Sequence, residues 1–129
     1  MSDPLHLELV QLTQRLLDAI AAADWHGYEQ LSDPSLTAFE PESRGQLVEG
    51  LTFHQFFFQL GSSTRPRQTT MCAPKVRVLG DVAVVTYVRL NQVVTADGTP
   101  KTIASEETRV WQRLEGRWRQ VHLHRSAIP

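Results

Sequence analysis

Ala104–Pro129 reads ASEETRVWQRLEGRWRQVHLHRSAIP. Its apolar and aromatic residues alternate with polar ones on either side of Glu115-Gly116, which predicts two strands joined by a tight turn. Arg109 and Arg125 lie inside apolar runs, where a solvent-facing charge is out of pattern. A guanidinium removed from water is costly unless it meets an anion and well-formed hydrogen bonds. The hairpin therefore implies a polar pocket built on a sheet.

Working outward, strands are expected at 68–79, 82–94, 102–113 and 117–125, punctuated by Gly80-Asp81, Asp97-Gly98 and Glu115-Gly116. Upstream the period changes. Leu5, Leu9, Leu12, Leu16 and Ile20 recur at helical spacing and predict one long amphipathic helix. Asp24 is a candidate N-cap for a short helix over Trp25–Leu31, closed by Asp33-Pro34. Ser35–Phe39 is expected to be a short strand and Glu40–Gly50 a polar loop. Thr52 is expected to cap a third helix with Phe53, Phe56, Phe57 and Leu60 on one face. Helices followed by a strand meander predict a single α+β domain over residues 1–129, a cone in which helices pack on the concave face of a curved antiparallel sheet.

Composition narrows the function. A hydrophobic share of 41% and a charged share of 21% are those of a folded globular chain, and 129 residues suffice to bury a core. A formal net charge of −1 gives no electrostatic reason to expect nucleic acid or an anionic membrane as a partner. No apolar run approaches the roughly 20 residues of a membrane span, and the N-terminus lacks a signal-peptide pattern. The single cysteine, Cys72, excludes an internal disulfide and suits the cytoplasm. No His/Cys cluster has ligand spacing, so neither a metal nor a cofactor is expected.

Turn geometry decides whether Arg89, Arg109 and Arg125 share a face. Three-residue loops, each a type I turn followed by a left-handed glycine, would pair Thr95 with Thr99 and Arg113 with Arg117. Arg89 would then lie opposite Ser105, Arg109 opposite Val121 and Arg125 opposite Ser105. All three arginines would point to one side with Tyr87, Glu107 and Leu123. A two-residue turn at either glycine would separate them, but Glu115 is a poor residue for the positive φ that such a turn needs. The other side would carry Thr108, Val110, Trp118, Gln120 and His122, a mixed apolar face wide enough to pair with a second copy.

Converging arginines admit two readings. They can pair internally with Glu107 and one of Glu40, Glu42 or Glu49, holding the pocket together. Alternatively they leave positive charge and fork-shaped donors facing a cavity, which suits a carboxylate or phosphate. His54 follows Phe53, off the apolar face of its helix, and imidazole titrates near neutrality. Tyr28 and Trp25 are core residues by default that could also line the cavity. His122 and His124 are expected on the opposite sheet face, not as a metal pair.

SEETRVWQR, GRWRQVHLHRS and Pro129 resemble the end of the association (hub) domain of calcium/calmodulin-dependent protein kinase II. Thr37–Glu42 (TAFEPE), Leu47–Leu51 (LVEGL) and Phe53-His54 read the same way, so the resemblance spans about Leu9 to Pro129. It implies the wider fold group of nuclear transport factor 2, ketosteroid isomerase and SnoaL-like proteins. It also implies a homo-oligomer, either dimers formed through the sheet or closed rings of them. The resemblance further implies pocket arginines at Arg89, Arg109 and Arg125, with His54 at the pocket mouth. With no glycine-rich nucleotide loop, catalytic-loop motif or EF-hand spacing, a hub without its kinase is expected, neither transferring phosphate nor binding calcium or calmodulin by itself. The loop Gln59–Pro66 is about two residues shorter than in animal hub domains and lacks their tryptophan, which sets its lid role apart.

The expected function is thus a self-assembling scaffold with a pocket for a small anion or acidic peptide, built from Arg89, Arg109, Arg125, His54, Tyr28, Tyr87 and Glu107. The alternative is an isomerase-like or SnoaL-like enzyme acting on a small organic acid or hydrophobic substrate. It would need a general base, and Glu107 beside Arg109 would be a weak one.

Overall fold

In the computed structural model, which describes residues 3–129, the leucine stripe becomes helix α1 (Pro4–Ala21). Asp3 caps it by accepting from the Leu5 amide at 2.8 Å, and Pro4 sits in the first turn, where a missing N–H leaves no bond unmade. Leu9, Leu16 and Leu17 are fully buried, with Leu5, Leu12 and Ile20 packed around them. Helix α2 (Trp25–Gln30) starts at Asp24, whose carboxylate accepts from the Gly27 amide at 3.0 Å.

The strands are β1 (Ser32–Phe39), β2 (Val48–Glu49), β3 (Arg67–Leu79), β4 (Val82–Val94), β5 (Pro100–Leu114) and β6 (Arg117–Ile128). They form one curved, unclosed sheet in the order β2-β1-β6-β5-β4-β3. The sheet is antiparallel except where β1 runs parallel to β6, so the first strand returns beside the last. The helices cover its inner face. Leu9, Leu16 and Leu17 of α1 share one core with Ala83, Val85, Tyr87 and Trp111 from that face. The α+β cone expected from the pattern is the observed fold.

Helix α3 (Thr52–Gln59) departs from expectation in two ways. Leu51, not Thr52, occupies the N-cap position, and no side chain caps the helix. The helix is also rotated. Phe56, Phe57 and Leu60 are exposed, at 58%, 42% and 70%, whereas His54 is buried and Phe58 packs on the core. Polar partners for both ring nitrogens make an inward imidazole affordable, and Phe58 lies 5.3 Å from the Trp25 ring and 4.8 Å from the Tyr28 ring.

The β4–β5 register is the expected one: the Thr95 amide donates to the Thr99 carbonyl at 2.9 Å and Arg89 faces Ser105. The β5–β6 register is not. Leu114 pairs with Arg117 across a two-residue turn in which Glu115 (φ 53°) and Gly116 (φ 75°) are both left-handed. Trp111 then pairs with Gln120, but Val110 pairs with His122, so Val121 is an extra residue, a β-bulge. The tight turn inverts the strand and the bulge inverts it back. Arg109 consequently faces Leu123 and Arg125 faces Glu107, not Val121 and Ser105. Between turn and bulge the phase stays inverted. Trp118 and Gln120 therefore point inward, 7% and 0% exposed, and do not belong to the outer face.

A left-handed non-glycine residue costs about 1–2 kcal/mol. Glu115 is exposed, and the turn type favours Asn before Gly. Glu115→Asn should therefore stabilise the fold by about 1 kcal/mol in urea unfolding.

Candidate functional site

Because the two inversions cancel, Tyr87 and Arg89 of β4, Glu107 and Arg109 of β5, and Leu123 and Arg125 of β6 all project to the inner side of the sheet. A cavity of about 310 Å³ opens there between sheet and helices. Arg89, Arg109, Arg125, His54 and Tyr28 line it, five of the seven residues expected from the sequence. Tyr87 and Glu107 lie behind the cavity wall, and Trp25 stacks on Tyr28 at 5.7 Å without reaching it.

Glu107 is the hub of the wall. One carboxylate oxygen accepts from the Tyr87 hydroxyl (2.6 Å) and Arg109 Nη2 (3.1 Å). The other accepts from Arg89 Nη1 and the Ser105 hydroxyl, both at 3.2 Å. Arg109, 1% exposed, also donates from Nε to the Tyr87 hydroxyl at 2.8 Å and from Nη1 to Gln120 Oε1 at 2.6 Å. Gln120 in turn donates to Ser32, which donates to the Tyr28 carbonyl, both at 2.8 Å. This chain ties β5 through β6 to β1 and α2. Sequence reasoning missed Gln120 because the two-residue turn, not the expected three-residue one, inverts the start of β6 and turns it inward.

Burial alone would raise the Glu107 carboxyl, but the Arg109 and Arg89 guanidiniums outweigh it and hold the group at about 2. Burial pushes the Tyr87 hydroxyl up to about 12 and also raises Tyr28. Arg109 pays a desolvation cost but is held charged by Tyr87 and Glu107.

The cavity mouth is a second charged cluster. Arg125 is paired with Glu42 and lies 4.0 Å from Glu40. Burial of Glu42 would raise its carboxyl, and the Arg125 bond more than reverses this. Glu40 accepts from His54 Nε2 at 2.7 Å, and the Tyr28 hydroxyl lies 3.2 Å from His54 Nδ1. The short turn Pro41–Ser43 after β1 brings both glutamates to this place. Ile20, Phe57, Phe58 and Leu123 supply apolar wall, and Asn91 completes it. Asn91 was legible, since it alternates with Tyr87 and Arg89 on β4. None of residues 59–66 lines the cavity.

Three guanidiniums thus meet three carboxylates. The internal-pairing reading holds for Arg109, whose three nitrogens all have protein partners. Arg89 is less committed: Nη1 bonds to Glu107, and Nε is buried without a partner. Among the described residues no group of three His, Cys, Asp or Glu side chains is placed to hold a metal.

The family model of the calcium/calmodulin-dependent protein kinase II association domain matches residues 6–129. The chain belongs to this family. It is 46% identical over 125 residues to the delta subunit of calcium/calmodulin-dependent protein kinase type II from Oryctolagus cuniculus, covering 95% of this chain and 24% of that protein. The chain thus spans about a quarter of that relative's length. The association domain of the C. elegans kinase superposes with a TM-score of 0.89 at 45% identity, covering 93% of both chains. A nuclear transport factor 2-like protein from Salmonella enterica, 24% identical with a TM-score of 0.79 over 96% of this chain and 91% of that one, shares the fold. Association (hub) domains form homo-oligomers.

The depressed Glu107 value fixes a pH dependence. The carboxyl titrates near 4.5 when unfolded and about 2 when folded, so its contribution is complete above about pH 4.5 and is lost as pH falls toward 2. Urea unfolding should show a loss on the order of 3 kcal/mol across that window. Glu107→Gln should flatten this dependence and cost roughly 3–5 kcal/mol at neutral pH, because it strands buried guanidinium charge.

Proposed function

We propose that this chain is a self-assembling hub whose inner cavity holds a small carboxylate. The reading is carried by one observation: a cavity of about 310 Å³ joins guanidinium donors and a tyrosine hydroxyl at one wall to Ile20, Phe57, Phe58 and Leu123 at another. An anionic head with a short apolar tail fits that division, and the volume is at the lower end for small-molecule sites. Arg89 and Arg125 are the gripping residues, since Arg109 is spent on Tyr87, Gln120 and Glu107. Catalysis is less well supported. Glu107, held ionised between two guanidiniums, is too weak a base to abstract a proton.

Assembly is supported by the family and by the outer sheet face, where Val84, Val88, Thr108, Val110 and His122 remain half-buried. A second copy would bury that strip. Light scattering at micromolar concentration should give at least twice the 14.6 kDa chain mass, and Val110→Glu should lower it. A clean monomer for the unsubstituted chain would refute the scaffold reading.

For the pocket, a panel of short-chain carboxylates should raise the melting temperature, more so at low salt. Arg125→Ala or Arg89→Ala should weaken binding by about 1.5–3 kcal/mol, and Arg125→Lys should restore only part, because an ammonium cannot reproduce a two-pronged grip. If no acid shifts the transition at millimolar concentration, the cavity is structural.

A further inference from the structure

The charge balance of the cavity carries a further step, which rests on the carboxylate pocket proposed above. Arg89, Arg109 and Arg125 contribute three positive charges, and Glu40, Glu42 and Glu107 contribute three negative ones. An anion entering this wall finds hydrogen-bond donors but no unmatched positive charge. Burying that anion without compensation is unfavourable.

His54 can supply the missing charge. It is buried in the cavity wall and its two ring nitrogens have different partners. Nε2 lies 2.7 Å from Glu40 Oε1, so the neutral ring carries its proton there, and Nδ1 accepts from the Tyr28 hydroxyl at 3.2 Å. Protonation breaks neither contact. Nε2–H still donates to Glu40, while Nδ1–H donates to the Tyr28 oxygen, because a phenol serves as donor or acceptor. The Tyr28 hydrogen is then released from Nδ1 into the cavity that Tyr28 lines. One proton thus adds a positive charge and a hydrogen-bond donor to the pocket.

The groups facing His54 come from every packed element. They are Tyr28 from α2, Glu40 from the end of β1, Glu42 from the turn after it, Arg89 from β4, Arg109 from β5 and Arg125 from β6. From α1 the cavity receives only apolar Ile20, and His54 is the sole titratable side chain of α3. We infer that the pocket takes up a carboxylate together with one proton, which is placed on His54 and turns Tyr28 into a ligand donor.

The test is titration calorimetry of the whole chain with sodium propionate between pH 6 and 8.5, in two buffers of different ionisation heat. Imidazole changes charge within this window, while propionate stays ionised over almost all of it. Affinity should weaken as pH rises, approaching about tenfold per pH unit, the limit for one linked proton. The apparent heat should differ between buffers by close to one proton per anion. His54→Gln should bind weakly with no pH dependence. Glu42→Gln removes one carboxylate, so it should bind without the proton, with higher affinity at pH 8.5 and a flattened profile.

Binding that is flat in pH and independent of buffer overturns the inference but leaves the pocket intact. The anion would then obtain its charge by ousting Glu42 from Arg125. A pH profile unchanged in His54→Gln also overturns it, by placing the proton elsewhere. No propionate binding at any pH overturns both this inference and the pocket reading.

Discussion

One buried carboxylate organises the inner face of this sheet. Glu107 accepts four hydrogen bonds, from Tyr87, Ser105, Arg89 and Arg109, and so draws β4 and β5 into one electrostatic unit. Two guanidiniums in a protein interior are an extravagance without it. Arg109 then passes the constraint on through Gln120 and Ser32 to the backbone of α2. Helix placement over the sheet is thereby set by polar geometry as well as by leucine packing. A polar network of this kind is specific because each member left unpaired would be costly.

The outer cluster differs in kind. Arg125 and Glu42 are partly exposed, and their pairing is one that water can compete for. Glu40 is shared between His54 and Arg125. The cavity is therefore rigid on its β4–β5 side and adjustable at its mouth. Sites that must be both shaped and loaded often divide in this way, with the adjustable part drawn from the less stable structure.

Much of this was legible in the sequence. Helical spacing in α1, the Asp24 cap and the β4–β5 loop were read from short-range rules, and these govern because few tertiary contacts oppose them. Convergence of the arginines was also expected, yet by a route the chain does not follow. The expectation used a three-residue turn at Glu115-Gly116, where the chain uses a two-residue turn and a bulge at Val121. The two differences cancel for Arg125 but not for Trp118 and Gln120, which lie between them. A bulge has no strong local signature; it is decided by what the core and Arg109 need from residues 118 and 120. The orientation of α3 failed for a related reason. Counting hydrophobic residues favoured Phe56 and Phe57, but partners at both nitrogens of His54 outweighed them.

The bulge also dictates how this hairpin tolerates changes in length. Gln120 faces inward and His122 outward, so they would alternate properly as direct neighbours. Val121 is thus a spare link: a chain lacking it would lose a local bend while keeping both halves of β6 in phase with β5. Gly116 is different. A chain one residue shorter at the turn would have a single residue to join Leu114 to Arg117, too few to close the hairpin, so one of those two would have to leave the ladder and the register beyond it would be at stake. A related hairpin that is one residue shorter should therefore lack the residue near position 121, and an alignment that opens its gap at the turn would misplace Gln120, the Arg109 partner.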